Sequence, residues 1–272
     1  RSALRYDPAQ IFLGPEYIFL ENIYSPLISM SKDGLLESSL ARNFEWEGDR
    51  AVLTMRSDLR TISGKKITAE DAEFSLKRLM VLSQNTHGNL QQLLCDGKSL
   101  SSVNDVCQGI KVEGDKLILI TSYPKHFLFS MLTAIDFAVI PKDSVDQKSL
   151  KIINMKETSG PYYVEKDDEG GKIILKANPF HFNYHHKAPQ KIIFVPSKDS
   201  VNDFQESKVD YITSVDQINA SNLLHQISKK KTRSYNLHQS FDIRIFILNF
   251  TRKGLMRFSR DERLTVANTI RS

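Results

Sequence analysis

Ile18, Phe19, Ile23 and Leu27 recur at helical spacing, with Pro15 near the start, and predict a helix over residues 16–30. Lys32-Asp33-Gly34 then signals a turn. Residues 51–56 (Ala-Val-Leu-Thr-Met-Arg) alternate as a half-buried strand does, with Leu53 and Met55 on one face. Ser63-Gly64-Lys65 is a turn leading into Thr68-Ala69-Glu70-Asp71, a close relative of a capping box. The helix behind it carries Ala72, Leu76 and Leu79 on one face, and its early acids suit the positive helix end.

Residues 83–110 are polar and loop-rich, and they contain the cysteines. Residues 116–121 form a strongly apolar strand, and residues 127–132 read as helix. A short apolar run at 137–140 is stopped by Pro141. Residues 162–165 and 172–176 are strand-like and are joined by Asp167-Asp168-Glu169-Gly170-Gly171, which predicts a hairpin. Residues 191–195 form another strand. Residues 204–211 read as a helix end running into a strand, and 243–250 alternate again. Ser259-Arg260-Asp261-Glu262 is a second capping box, with Leu264, Ala267 and Ile270 on the helical face behind it. The chain stops inside that helix at Ser272, which is what a truncated polypeptide would show. Strands and helices mix without strict alternation, so the expected class is mixed α/β with some antiparallel pairing.

The length of 272 residues suggests two domains. The net charge of +5 comes from 37 basic and 32 acidic residues spread along the chain. The densest basic run is Lys229-Lys230-Lys231-Thr232-Arg233, a solvated helix end or loop rather than a nucleic-acid surface. No apolar run approaches the roughly 20 residues a membrane span needs. The opening Arg1-Ser2-Ala3-Leu4 has none of the zones of an export leader, which decides nothing, since such a signal is removed or left out. The two cysteines, Cys95 and Cys107, sit 12 residues apart around Gly, Ser, Asn and Asp. That spacing can close a loop disulfide in an oxidising compartment, the alternative being two unpaired thiols.

The chain carries no phosphate-binding glycine loop, no dinucleotide fingerprint and no strand-to-helix nucleophile motif. Neither cysteine has neighbours that would lower its pKa. His181 and His185 would share a face if 181–186 were helical, as metal-ligand pairs do, but Asn178-Pro179 and Pro189 favour a loop. Asp167-Asp168 belong to a turn and Glu70-Asp71 to a cap, so neither pair reads as acid–base machinery. The expectation is a chain with no catalytic residue, no metal site and no cofactor.

Several stretches, in order, resemble one family. They are Asp7-Pro8-Ala9, the run from Tyr17 through Leu27, Leu40-Ala41-Arg42-Asn43-Phe44-Glu45-Trp46, and Leu53-Thr54-Met55-Arg56. Ser63-Gly64-Lys65-Lys66-Ile67-Thr68-Ala69-Glu70-Asp71, continuing to Leu79, is the most recognisable. Ile140-Pro141-Lys142, Ser159-Gly160-Pro161-Tyr162, Leu175-Lys176-Ala177-Asn178-Pro179, Lys208-Val209-Asp210-Tyr211-Ile212, Leu248-Asn249 and the helix over 261–270 follow. Together they resemble the first half of the extracellular solute-binding proteins of family 5, the oligopeptide/dipeptide class of ABC-importer receptors. Two places depart from the pattern: Glu157-Thr158-Ser159-Gly160-Pro161-Tyr162, and the surroundings of Arg257-Phe258-Ser259.

The resemblance implies a periplasmic-binding-protein-like fold (type II, large peptide-binding class), present here as one two-domain lobe of a clamshell. Domain I would comprise 1–40 and 159–248 and form the cleft wall, domain II would be inserted as 41–158, and 249–272 would begin a second lobe. It implies a peptide or similar small solute captured between lobes and pairing as an added strand. The pairing edge would be Phe12, Leu13 and Gly14, the glycine allowing close backbone approach, with a plain buried loop as the other reading. Tyr17, Arg244 and Ile245 would join the ligand site, although Arg244 suits a structural ion pair equally. Ile243 and Ile247 would lie at the hinge. The implied partners are ABC-transporter permease subunits, with no nucleic acid and with the membrane reached only indirectly or by a lipid anchor outside this chain. The location would be periplasmic or cell-surface. A regulator's ligand-sensing domain, or a family member specific for nickel, haem or sugar, is the other reading. Half a cleft would bind ligand feebly.

Overall fold

The structure is a computed structural model, and it describes residues 6–11, 14–83, 88–121, 125–168, 171–212 and Ser259. Contacts divide the chain into Arg1–Asn219 and Ala220–Ser272, and every described helix and strand belongs to the first of these. Its elements in order are α1 (Gly14–Ile23), β1 (Ile28–Met30), β2 (Leu36–Ser38), β3 (Ala41–Glu47), β4 (Arg50–Met55), α2 (Ala69–Leu82) and α3 (Gly88–Leu94). They continue with β5 (Ile110–Glu113), β6 (Lys116–Ile120), α4 (Lys125–Met131), β7 (Tyr162–Asp167), β8 (Ile173–Ala177), β9 (Lys191–Phe194) and α5 (Ser200–Gln205).

Two sheets carry the architecture, and among the described residues no strand of one pairs with a strand of the other. The first is antiparallel in the order β3-β4-β6-β5. Ala51, Leu53 and Met55 of β4 and Leu117 and Leu119 of β6 supply its core face. Ala72, Leu76, Leu79 and Met80 of α2, the leucines of α3, and Leu128 and Phe129 of α4 fill that core. The second sheet is antiparallel in the order β7-β8-β9. Val164, Ile173 and Leu175 pack there with Phe19, Leu20 and Ile23 of α1.

The cap at the head of α2 forms from the acid's side: the Asp71 carboxylate accepts from the Thr68 backbone N–H at 2.8 Å and from its hydroxyl at 3.2 Å. The same carboxylate accepts from the Lys142 N–H at 2.8 Å, which ties the helix start to the segment after the first core.

Four sequence expectations change. The first helix ends at Ile23 rather than at residue 30, because Pro26 lacks a backbone N–H and disfavours helical geometry at Ser25. The chain re-emerges at Ile28 as a strand paired with β2. Strand β4 is not half-buried: Ala51 through Met55 are all buried, since Val52 and Thr54 sit mid-sheet between β3 and β6, with Ile118 opposite Val52. The loop-rich stretch 83–110 also holds a helix, because Leu90, Leu93 and Leu94 of α3 turn one buried face to the core. After α5 no strand forms among residues 206–212; the helix stops where Ser207 adopts φ +63°. Residues 243–250 and the helix expected over 261–270 lie outside the described residues.

The start of β7 is pressed against the end of α1. A Cβ on Gly160 would lie 2.4 Å from the Ile23 carbonyl carbon and 2.6 Å from the Tyr24 nitrogen. Backbone cannot yield as a side-chain tip can. Gly160→Ala is therefore expected to cost about 2 kcal/mol of stability through overpacking. An unchanged denaturation midpoint would show that this contact is looser than the structure draws it.

Candidate functional site

Of the positions predicted to meet a ligand, Phe12, Leu13, Arg244 and Ile245 lie outside the described residues, as do the two hinge positions Ile243 and Ile247. Gly14 and Tyr17 are described. Gly14 opens α1, and a Cβ there would meet nothing within 4 Å, so packing within the described chain does not require glycine. Tyr17 is 39% exposed on the first turns of the same helix. Partial burial, then the carboxylates of Asp136 and Glu16, push its phenol above the ordinary value, so it stays neutral and able to donate.

The chain on either side of residues 12–13 is firmly held. On the far side, α1 is anchored in the second core by Phe19, Leu20 and Ile23. On the near side, Asp7 caps a single 3-10 turn over Pro8–Gln10, its carboxylate accepting from the Ala9 N–H at 3.0 Å. Arg78 of α2 meets the same carboxylate with both arms of its fork, Nη1 to Oδ1 at 2.9 Å and Nη2 to Oδ2 at 2.5 Å. Its Nε and Nη2 also donate to the Leu150 carbonyl, at 2.9 Å and 2.6 Å. Arg78 is 1% exposed and Asp7 16%. A planar fork satisfied on two acceptors is the arrangement in which a buried guanidinium is tolerable. The Tyr24 hydroxyl is buried without a partner among the described residues. Burial first, and the Asp7 charge second, push its pKa up, so it remains protonated.

This clamp went unread in the sequence. One signal was there: Arg78 sits one turn after Ser75 on a helix side that also packs inward, where a charged residue needs a partner. No local rule points from it to Asp7, 71 positions away.

The histidine-rich segment is a loop. His181 is buried, its Nε2 lies 3.2 Å from Ser25 Oγ, and its Nδ1 accepts from the Asn183 N–H at 3.3 Å. Burial first, and the Arg56 charge second, push its pKa down to about 4. His185 and His186 stack on each other in the exposed part of the loop. Among the described residues no three His, Cys, Asp or Glu side chains converge as metal ligands, and no helix is long and apolar enough to cross a membrane.

Cys95 and Cys107 are joined in a disulfide that ties the end of α3 to the approach of β5. Beside it lies an open cavity of about 720 Å³ lined by Leu93, Leu94, Asp96, Cys107, Ile110 and Lys111 among others. It touches none of the positions predicted to meet a ligand.

Residues 36–260 match the profile of the bacterial extracellular solute-binding proteins, family 5, middle region. The chain belongs to this family. No curated protein sequence matches it. Among solved structures it is similar to OppA of Burkholderia pseudomallei, at TM-score 0.69 and 18% identity over 83% of this chain and 46% of that one. It is similar to the Escherichia coli murein tripeptide binding protein MppA, at TM-score 0.69 and 18% identity, covering 82% of this chain and 46% of that one. A Listeria monocytogenes OppA bound to peptide matches at TM-score 0.64 and 21% identity, over 77% and 44%. The family 5 chain described here therefore spans less than half the length of these neighbours, which share its type II periplasmic-binding-protein fold.

Proposed function

We propose that this family 5 chain contributes one lobe of the receptor component of an ABC importer, which captures peptides or similar small solutes and does no catalysis itself. The observation that carries the reading is the family match across residues 36–260, supported by a fold shared with peptide-binding neighbours. Domain I comprises 1–40 and 159–248, domain II is the insertion 41–158, and 249–272 opens the second lobe. The separate pairing of the two larger sheets, one within 41–158 and the other within 159–248, favours that division, while the cores interleave across it, with Leu27, Ile28 and Leu40 in the first and Phe74, Ile135 and Ile140 in the second. Phe12, Leu13 and Gly14 offer a backbone edge to an extended ligand, and the anchoring of the chain on both sides of them suits an edge that must be rigid to bind without reading sequence. Tyr17, Arg244 and Ile245 complete the wall, and Ile243 and Ile247 flex as the lobes close.

The disulfide favours an oxidising compartment, hence a periplasmic or cell-surface receptor that works with permease subunits, and disfavours the ligand-sensing domain of a cytoplasmic regulator. The test is a thermal-shift series on the protein from its native host, with short peptides, nickel, haem and oligosaccharides offered separately. Peptides are expected to raise the melting temperature with increasing concentration. A rise with one of the other ligands alone, or specific retention on DNA, overturns the assignment to peptide capture.

A further inference from the structure

We infer that His181 is an acid-sensitive latch on the joint between the two cores, closed while its imidazole is neutral and released when it is protonated. Three segments form this joint. Along 24–27, Tyr24 belongs to the second core and Leu27 to the first. Along 137–140, Phe137 and Val139 belong to the first, and Ala138 and Ile140 to the second. Residues 157–160 lead from there into β7.

Buried hydrogen bonds stitch the three together. The Val139 N–H donates to the Ser25 carbonyl at 3.0 Å, and the Gly160 N–H to the Ile23 carbonyl at 3.0 Å. The Ser25 N–H donates to Ser159 Oγ at 3.1 Å, and that hydroxyl donates to the Val139 carbonyl at 2.5 Å. His181 enters from the loop after β8 and bonds the Ser25 hydroxyl, fastening the middle of that loop to the stitched joint, while Asn178 and Pro189 hold its ends to Pro161 and Tyr162.

Both ring nitrogens are used in a way that only the neutral form permits. Nδ1 accepts from the Asn183 N–H, which places the proton on Nε2, facing Ser25. A second proton would have to sit on Nδ1, donor against donor. It would also place a cation beside Arg56, whose guanidinium lies 4.4 Å over the neighbouring Phe182 ring. The surroundings offer no relief. Segment 24–27 contributes only the Tyr24 phenol, and 137–140 no ionisable group. Glu157 on the third segment accepts from Ser63 at 2.8 Å, and Tyr184 of the loop donates to Gln190. Among the described residues no carboxylate hydrogen-bonds the His181 ring.

Acid should therefore open the joint. A base held below its ordinary value stabilises the closed joint above that value, and the stabilisation drains as the opened state takes up a proton. For a ring that titrates near 6.5 when open and about 4 when closed, the open population should rise about 20-fold between pH 7 and pH 5.

Hydrogen exchange at the amides of Ser25, Val139 and Gly160, corrected for intrinsic rates, reads this population. The expected result is a roughly 20-fold loss of protection over that range in the native chain and a flat profile in His181→Gln, whose amide can still donate to Ser25 but does not titrate. Equal slopes in the two proteins would overturn the latch. Should His181→Gln not fold, nitrogen NMR of the native ring decides: a neutral, Nε2-protonated ring at pH 5 supports the inference, and a charged ring at pH 6 ends it.

Discussion

Arg78→Leu is expected to lower the unfolding free energy by about 3–5 kcal/mol. The substitution keeps the helix and fills part of the space, so the loss comes from what is stranded. The Asp7 carboxylate, itself mostly enclosed, loses both arms of its partner, and the Leu150 carbonyl loses two donors. Breaking one half of a mostly buried ion pair costs far more than the pair contributed, because the orphaned group is left with little water to turn to. Asp7→Leu combined with Arg78→Leu should therefore be less damaging than the two single losses added together. Chemical denaturation of the three variants checks this. A single-variant loss under about 1 kcal/mol would mean that solvent reaches the pair and screens it.

That pair also marks where sequence reading stops. The helix α2 was legible from Thr68 to Leu79 because cap, acid and apolar stripe lie within one local window. The hairpin of β7 and β8 was legible for the same reason: turn residues separate two apolar runs. Strands β3 and β5 escaped, since Arg42, Asn43, Glu45 and Glu47 dilute the apolar signal in one and the other is four residues long. Their place is set by register against β4 and β6, a tertiary fact. Helix α3 was hidden by its polar flanks, although three buried leucines hold it in the first core. The family resemblance found the order of the segments. It could not reveal that Ser25, Val139, Ser159 and His181 meet in one buried network, because no two of them are neighbours in sequence and a serine or a histidine carries no long-range pattern.

Removing the disulfide is the second large effect. Cys95→Ala with Cys107→Ala should cost about 3 kcal/mol, the loop-closure contribution expected for a cross-link spanning 12 residues. Both sulfurs are buried, so alanine adds a small cavity to the loss of the cross-link. The consequence should be local before it is global. The bridge holds the end of α3 against Gly109, whose N–H donates to the Leu94 carbonyl at 2.8 Å, while the Ile120 N–H donates to the Gly109 carbonyl at 2.8 Å. A Cβ on Gly109 would lie 2.2 Å from the Leu94 oxygen and 2.5 Å from that of Ile120, so three backbones converge beside the sulfurs. Without the bridge, the amides of Gly109 and Ile120 should exchange faster while those of β7 and β8, in the other core, keep their protection. Uniform loss of protection across both sheets would instead mean that the two cores unfold as one unit and that the bridge stabilises the whole of it.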